Sequence, residues 1–339
     1  MSRHGTLTTT AAGMGSLPER LEACAGPAAV QMCFARAQLP LGIIEDRSAR
    51  VPLHSMVRLF SDAERFTGNP TFGLEIGLSM SGNEIGHWFD FSSQAETLRA
   101  GLQRLIETIK LFQNGPRGRL IDASDGAMFS YFVPRDKTLS YAAHSDHHVP
   151  LILSFIQRYL GQSWRPPWIE MDYPDRGHGR AFSDLVGARP IYGRSAVSVP
   201  LSKAELNARR PHDADAKEVL CSKDVKARIF HRQNDFLVAV ETHMALEMFE
   251  TAPELSTVAG RMNMSTRSLQ RKLMLEGYSF REILSRLRYR TAQDLMQDTK
   301  LSITQIAHRL GYTDTANFSR AFKSWSGYQP SEHPRHSHR

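Results

Sequence analysis

The C-terminal part of the chain contains an internal repeat. Residues 258–265 recur as residues 306–313. The second copy then has one extra residue, after which three pairs of residues match: Leu269 with Phe318, Arg271 with Arg320, and Leu273 with Phe322. Each copy predicts a short helix, a tight turn and a second helix, the order of elements in a helix-turn-helix unit. Two such units in register are far more specific than one, so we expect an all-α domain here.

The residues at the turn of each copy suit this interpretation. Asn263 and Gly311 stand where a left-handed backbone is needed, and these residue types tolerate it best. Ser265 and Thr313 then fall at the expected N-cap of the second helix, where a hydroxyl accepts an otherwise unpaired backbone N–H. The sequence therefore predicts where the second helix of each unit begins.

A longer helix is predicted between the two copies. Ser279 and Glu282 have the spacing of a capping box, and a helical apolar period follows from Phe280 to about Thr299. At 1.5 Å per residue this spacer is about 28 Å long. Ser302 and Gln305 form a second capping box that opens the second unit. One turn of B-DNA advances about 34 Å, so two units on such a spacer could enter successive major-groove faces.

Positive charge is concentrated in the same region. Residues 251–339 contain 14 Lys and Arg against 7 Asp and Glu, a net charge of +7 that equals that of the whole chain. Residues 1–250 therefore sum to zero. A basic domain next to a neutral one is what release of counterions from a phosphate backbone requires. We expect nucleic acid to be the partner of this region.

These motifs resemble the DNA-binding domain of the AraC/XylS family of bacterial transcription regulators. The resemblance is carried by residues 269–273, 280–296, 306–312, 318–323 and 327–331. It implies that the second helix of each unit contacts bases. Ala316 departs from this pattern because it offers only a methyl group. Gly260 costs its helix about 1 kcal/mol relative to alanine.

From residue type and resemblance together we predict a set of DNA-contacting residues. Basic and amide side chains on the second helices read base edges, and arginines sharing a face of the spacer hold phosphates. Arg281 and Arg288 on the spacer are further phosphate candidates. The predicted DNA-binding residues are Ser265, Thr266, Arg267, Gln270, Arg271, Lys272, Arg286, Arg290, Thr313, Thr315, Ala316, Asn317, Arg320 and Lys323.

The upstream two thirds of the chain predict an α+β domain. Apolar residues at helical spacing predict helices over 56–67, 98–111 and 149–160. Alternating residues predict three strands: 126–133, 139–143 and 195–199. Residues 39–42, 50–53, 68–74 and 188–201 resemble the effector-binding, arabinose-binding-like domain of one branch of the family.

The predicted fold is an α+β effector domain followed by an all-α domain of two helix-turn-helix units joined by a spacer helix. The polar, proline-containing stretch that begins at Ala208 suggests a linker. The predicted divisions are a disordered leader at 1–15, an effector domain at 16–207, a linker at 208–222, a DNA-binding domain at 223–332 and a polar tail at 333–339.

The remaining features predict a cytoplasmic chain without catalytic chemistry. There is no secretory signal and no apolar run long enough to span a membrane. Cys24, Cys33 and Cys221 are scattered, which suits a reducing compartment and cannot make a four-thiolate metal site. No nucleophile elbow or phosphate-binding loop is present, so we expect neither catalytic residues nor a cofactor.

One group of histidines has a spacing that could suit a metal site. His144 and His148 stand four apart, as two zinc ligands on one helix would, but Pro150 follows and no accompanying metal motif is present. A loop-to-helix junction is the simpler interpretation, and we expect no metal site. Trp88, Phe89 and Phe91, with His87, could line an effector pocket or simply pack in the core, so the effector-binding residues stay unassigned.

The function that these features predict is a sequence-specific DNA-binding transcription regulator, an activator controlled by a small molecule such as an amino acid. A fatty-acid-responsive virulence regulator is the alternative, and a DNA-linked enzyme or a helical module without nucleic acid is less favoured. The partners that the resemblance implies are double-stranded promoter DNA, RNA polymerase, a small-molecule effector and a second copy in a homodimer, with no membrane.

Overall fold

Two units make up the chain. The computed structural model describes residues 7–80, 87–109, 113–136, 138–210, 235–298 and 301–332. By its internal contacts, the described residues within 7–39 and 53–210 form one unit, called here the N-terminal unit. Residues 40–52 group with the described residues from 235 to 332 in the C-terminal unit. Most of the predicted linker and the whole predicted tail lie outside the described residues.

The N-terminal unit contains nine described helices. Residues Ala11–Met14 and two of these helices, Leu53–Thr67 and Ala142–Leu160, contribute buried apolar side chains to it. The helices are α1 (Leu17–Ala25), α2 (Pro27–Ala37), α3 (Leu53–Thr67), α4 (Phe72–Ser79), α5 (His87–Ser93), α6 (Leu98–Thr108), α7 (Ala142–Leu160), α8 (Gly179–Val186) and α9 (Lys203–Leu206).

The strands are short except for one hairpin. They are β1 (Thr8–Thr10), β2 (Arg50–Pro52), β3 (Arg117–Ala123), β4 (Gly126–Phe132), β5 (Trp168–Glu170), β6 (Arg189–Ile191) and β7 (Val197–Ser202). The last five form one sheet in the order β3-β4-β7-β5-β6, antiparallel except for β5 with β6. The α+β class predicted for this part of the chain is confirmed.

Helix α4 packs closely on α7 because it presents two glycines four residues apart. A Cβ at Gly73 would collide with the carbonyl oxygen of Ala143, and one at Gly77 with that of His147. Residues four apart share one face of a helix, so the two glycines form a smooth strip on which the backbone of α7 rests. This contact places α7 in the centre of the N-terminal unit.

Three predictions about this unit are wrong. Residues 139–143 do not form a strand, and the histidines are not at a loop-to-helix junction, because α7 begins at Ala142 and contains all of them. Pro150 lies inside this helix. The buried side chains of Val149 and Leu153 pack the apolar face of the helix against the core. Residues 7–15, predicted as disordered leader, instead form β1 and the turn of 3₁₀ helix that follows, and Ala11 and Met14 are fully buried.

The described helices of the C-terminal unit follow the predicted order. They are α10 (Asp235–Met248), α11 (Leu255–Arg261), α12 (Thr266–Leu275), α13 (Phe280–Asp298), α14 (Ile303–Arg309) and α15 (Thr315–Ser326). Both apolar stripes of the repeat are buried in one core, including Val258, Leu269, Ile306 and Phe318. The prediction of two helix-turn-helix units joined by a spacer helix is confirmed.

Residues 40–52 are an unexpected part of the C-terminal unit. Leu41–Ile44 forms a turn of 3₁₀ helix in which Gly42 lies against the side chain of Phe249. Strand β2 contacts α10. Glu45 accepts a hydrogen bond from Nη2 of Arg309 in α14 at 3.2 Å. The chain therefore adds one segment from far upstream to the helical repeat.

Within the described residues, no helix combines the length and the apolar character needed to cross a bilayer.

Candidate DNA-binding surface and effector cavity

The turn of each unit has the geometry that its sequence predicts. Asn263 has a φ of +53° and Gly311 a φ of +76°, both in the left-handed region. In the first unit Ser265 caps α12, because its hydroxyl accepts the backbone N–H of Ser268 at 3.1 Å. Both capping boxes, at Ser279 and at Ser302, are also formed as predicted.

The cap of the second unit is Asp314 and not Thr313. The Asp314 carboxylate accepts the backbone N–H of Asn317 at 2.6 Å, and α15 begins at Thr315. The extra residue of the second copy moves the helix start by one position, so the residue aligned with Ser265 no longer occupies the cap. Thr313 is exposed and precedes the cap.

Helix α12 presents a polar face to solvent. Leu269 and Leu273 bury one side of it, and Arg267, Gln270 and Arg271 are exposed on the rest. This arrangement leaves two guanidinium groups and one amide free to approach a groove, and these are the groups that read guanine and adenine edges.

Two other predicted DNA-binding residues of α12 are Lys272 and Thr266. The Lys272 ammonium lies 4.0 Å from the centroid of the Phe236 ring, so a cation–π contact orients it toward α10. Thr266, the first residue of α12, is exposed. We expect both to contact phosphates in preference to bases.

Helix α15 presents a short hydrogen-bonded chain of polar side chains. Nη2 of Arg320 donates to Oδ1 of Asn317 at 2.6 Å, and the Asn317 amide donates to the Asp314 carboxylate. Ala316 and Lys323 are exposed beside them, and Thr315 is half-buried with its hydroxyl 3.3 Å from that of Thr304. These two hydrogen bonds orient the Arg320 side chain in the absence of DNA.

The arginines of the spacer helix divide into two groups. Arg286 is exposed and lies over the Tyr278 ring at 4.8 Å, and exposed Arg290 pairs with Glu241 at 3.1 Å. Arg288 is half-buried: its Nε donates to the carbonyl of Leu310 at 3.0 Å, and it lies over the ring of Tyr312. Arg288 thus holds the turn of the second unit, while Arg286 and Arg290 stay candidates for phosphate contacts.

The N-terminal unit contains a partly open cavity of about 110 Å³. That volume accommodates a small organic molecule, since a single water needs roughly 10–15 Å³ on the same scale. Among the described residues that line it, none is Asp, Glu, Lys or Arg. The residues that line it are Thr9, Thr10, Ala12, Gly13, Met56, Met80, Phe89, Leu102, Leu105, Ile109, Gln113, Phe129, Tyr131, His144, His147, His148, Leu151, Ile152 and Phe155.

The aromatic residues considered from sequence are only partly found here. Phe89 lines the cavity and packs edge-on against Phe155, with ring centroids 5.1 Å apart. Phe91 lies under the guanidinium of Arg104 instead. The side chains of His87 and Trp88 are outside the described residues.

Three histidines of α7 meet at the cavity wall. His144, His147 and His148 each have a ring nitrogen within 4.8 Å of the other two, and the Phe60 ring stacks on His147. Nδ1 of His147 and Nδ1 of His148 each lie 2.7 Å from the carbonyl oxygen of His144. We call these three residues the histidine cluster. The spacing of His144 and His148 is visible in the sequence, and His147 joins them because residues 144–148 are helical.

Burial keeps the histidine cluster neutral. Loss of solvent, and after it a neighbouring imidazole of the cluster, hold the pKa of all three residues well below the usual value. Nδ1 of His144 is buried and has no hydrogen-bond partner among the described residues. A buried nitrogen without a partner is costly, so this part of the cavity wall is chemically unsatisfied.

The comparison with known proteins identifies both units. Residues 28–210 match the model of the arabinose-binding domain of AraC transcription regulators, and residues 258–336 match a helix-turn-helix domain. The chain belongs to the AraC family of transcription regulators. The family resemblance predicted from the sequence is therefore confirmed.

The proteins that this chain resembles differ in how much of it they match. An uncharacterized HTH-type transcriptional regulator of Mycobacterium bovis is 45% identical over 83 residues, which are 24% of this chain and 24% of that relative. The ornithine utilization regulator of Pseudomonas aeruginosa is 27% identical over 316 residues, 89% of this chain and 90% of the relative. The crystal structure of CdpR from Pseudomonas aeruginosa covers 90% of this chain and 97% of its own, with a TM-score of 0.40 and 20% identity.

Proposed function

We propose that this AraC-family chain is a sequence-specific DNA-binding transcriptional activator that responds to a small molecule held in the N-terminal cavity. The observation that supports this most is the pair of capped second helices, α12 and α15, each with an exposed polar face. Promoter DNA, RNA polymerase and a second copy of the chain are the proposed partners, and the cytoplasm is the proposed compartment.

The lining of the cavity suggests the class of effector. A free amino acid carries an ammonium and a carboxylate, and burying either without an opposite charge is strongly unfavourable. The cavity offers apolar side chains with a few neutral polar groups, among them Thr10, Gln113 and Tyr131. We therefore favour a mostly apolar effector such as a fatty acid, which carries one charged group, its carboxylate, where an amino acid carries two. An amino acid remains the second candidate, because one relative is named for ornithine utilization.

The proposed signal passes along the chain through residues 40–52. Met56 of α3 lines the cavity, and only three residues separate it from Pro52, the last residue of β2 in the C-terminal unit. An effector that changes the position of α3 would thus act directly on a segment that packs against α10 and pairs with Arg309. Such coupling needs the effector to bind one arrangement more tightly than the other.

Genome-wide crosslinking of the native protein tests this function. Sequencing of the co-purified DNA should give discrete peaks upstream of a few operons, and the same sites should be bound in solution by the purified chain. Fatty acids and amino acids are then added separately to the binding reaction. Uniform enrichment across the genome, with and without either class of compound, would rule out sequence-specific regulation.

A further inference from the structure

We propose that the histidine cluster is a metal-binding site for a divalent ion of the zinc class, with its open coordination position facing the cavity. The site is carried by α7 alone, since residues three and four apart share one face of a helix. It does not depend on which DNA or effector the chain binds.

The distances within the cluster are close to those of a metal site. A tetrahedral ion with Zn–N bonds of about 2.05 Å has its ligand nitrogens about 3.4 Å apart. The three ring nitrogens here lie within 4.8 Å of one another. Small changes in the side-chain torsions of the three histidines would supply the remaining approach when an ion binds.

The hydrogen bonds of the cluster set its tautomers. A carbonyl oxygen only accepts, so His147 and His148 must each donate an Nδ1–H to the carbonyl of His144. Their Nε2 atoms then carry lone pairs. A histidine that donates one ring N–H to a carbonyl and ligates through the other nitrogen is the usual arrangement in metal sites.

The third histidine also leaves a ring nitrogen available to a cation. The buried Nδ1 of His144 lacks a partner within the described part of the chain. A bound cation would satisfy nitrogen lone pairs that the protein leaves without donors.

The ligand set indicates which metals fit. Imidazole suits zinc, copper, iron and nickel, while oxygen-rich sites suit magnesium and calcium. Three histidines with one position left for water or another donor is the pattern of open zinc sites. Neutral polar groups such as Thr10 and Gln113 share the cavity lining, so a donor atom of a small molecule could take that position.

Cobalt(II) is the probe for this site, because four-coordinate Co²⁺ absorbs visibly and its displacement by Zn²⁺ is easily followed. The full chain is used with His333, His336 and His338 changed to Gln, which removes a histidine-rich stretch that could bind metal by itself. In this background His148→Gln is the main variant, because His148 is only half-buried and its loss disturbs the core least. His243→Gln removes a buried histidine of the C-terminal unit and serves as the matched control.

We expect one Co²⁺ per chain with the four-coordinate spectrum, displaced by one Zn²⁺. His148→Gln should weaken binding by more than the roughly 10–100-fold typical of losing an outer hydrogen-bond partner of a metal ligand, and His243→Gln should leave it unchanged. Zinc should also raise the melting temperature of the background protein and not that of the variant. Absence of Co²⁺ binding by the folded background protein, or equal binding by His148→Gln, would overturn the site.

Discussion

Arg271 is a single exposed side chain that we expect to determine base specificity at one position of the DNA site. It stands on the solvent face of α12, opposite buried Leu269 and Leu273. A guanidinium that forms two hydrogen bonds to guanine discriminates against other bases by about 1–3 kcal/mol. We therefore expect Arg271→Ala to weaken specific binding by that amount and to relax one base position, while random DNA is bound almost as before.

Fluorescence anisotropy on a crosslinking-derived site and on scrambled DNA measures both quantities. Arg99→Ala is the matched control, because Arg99 lies in the N-terminal unit and pairs there with Asp122. An equal loss on both DNAs would show that Arg271 holds a phosphate and reads no base.

Asp314 and Thr313 allow a sharp comparison of two neighbouring residues. Only Asp314 accepts a backbone N–H of α15. Removing an N-cap costs about 0.5–2 kcal/mol, so Asp314→Ala should reduce the protection of the first amides of α15 against hydrogen exchange. Thr313→Ala should leave that protection unchanged. The reverse order of effects would mean that the cap predicted from the sequence repeat is the real one.

At the scale of elements, the two glycines of α4 set the position of α7. A methyl group at Gly77 would press on the carbonyl of His147, whereas one at Gly260 of α11 meets nothing within 4 Å. Overpacking costs about 1–3 kcal/mol, so Gly77→Ala should destabilise the N-terminal unit. Gly260→Ala should instead stabilise α11 by about 1 kcal/mol, through helix propensity alone.

Urea unfolding, followed by hydrogen exchange in each unit, separates these effects. The two variants share the same chemical change, so opposite signs would assign the difference to packing. If Gly77→Ala proves neutral, the close contact of α4 with α7 is not part of the folded protein.

The elements that the sequence predicts well are those whose signals are local. The caps at Ser279 and Ser302 and the left-handed turn at Asn263 depend on a few adjacent residues, and all are found. The sequence predicts only residues 149–160 of α7, because Pro150 is a local signal against a helix that continues through it. The packing that keeps residues 142–160 in one helix comes from residues distant in the sequence. The sequence argument against a metal site at the histidine cluster uses Pro150 in the same way, together with the lack of an accompanying metal motif.

At the scale of the whole molecule, the uneven charge should govern DNA affinity. Residues 251–339 carry all of the net charge of +7. Affinity should therefore fall steeply with salt, with the slope reduced by about one for each phosphate contact removed. Arg286→Ala should lower the slope in this way and weaken all DNA sequences alike.

Titration of the full chain with DNA at several salt concentrations gives these slopes. Arg99→Ala, which changes the net charge equally but lies in the N-terminal unit, should leave the slope nearly unchanged. A similar change in slope for both variants would mean that overall charge, and no particular contact, controls binding.

Residues 40–52 determine how the protein should behave when it is cleaved into two fragments. A protease cut between residues 210 and 235 would give an N-terminal fragment that still carries Glu45 and β2, which belong with the helical repeat. The C-terminal fragment would lose the cover over α10 and the neighbour of Phe249. We expect the two fragments to reassociate on mixing, and the DNA-binding unit released alone to be less stable and more prone to aggregate.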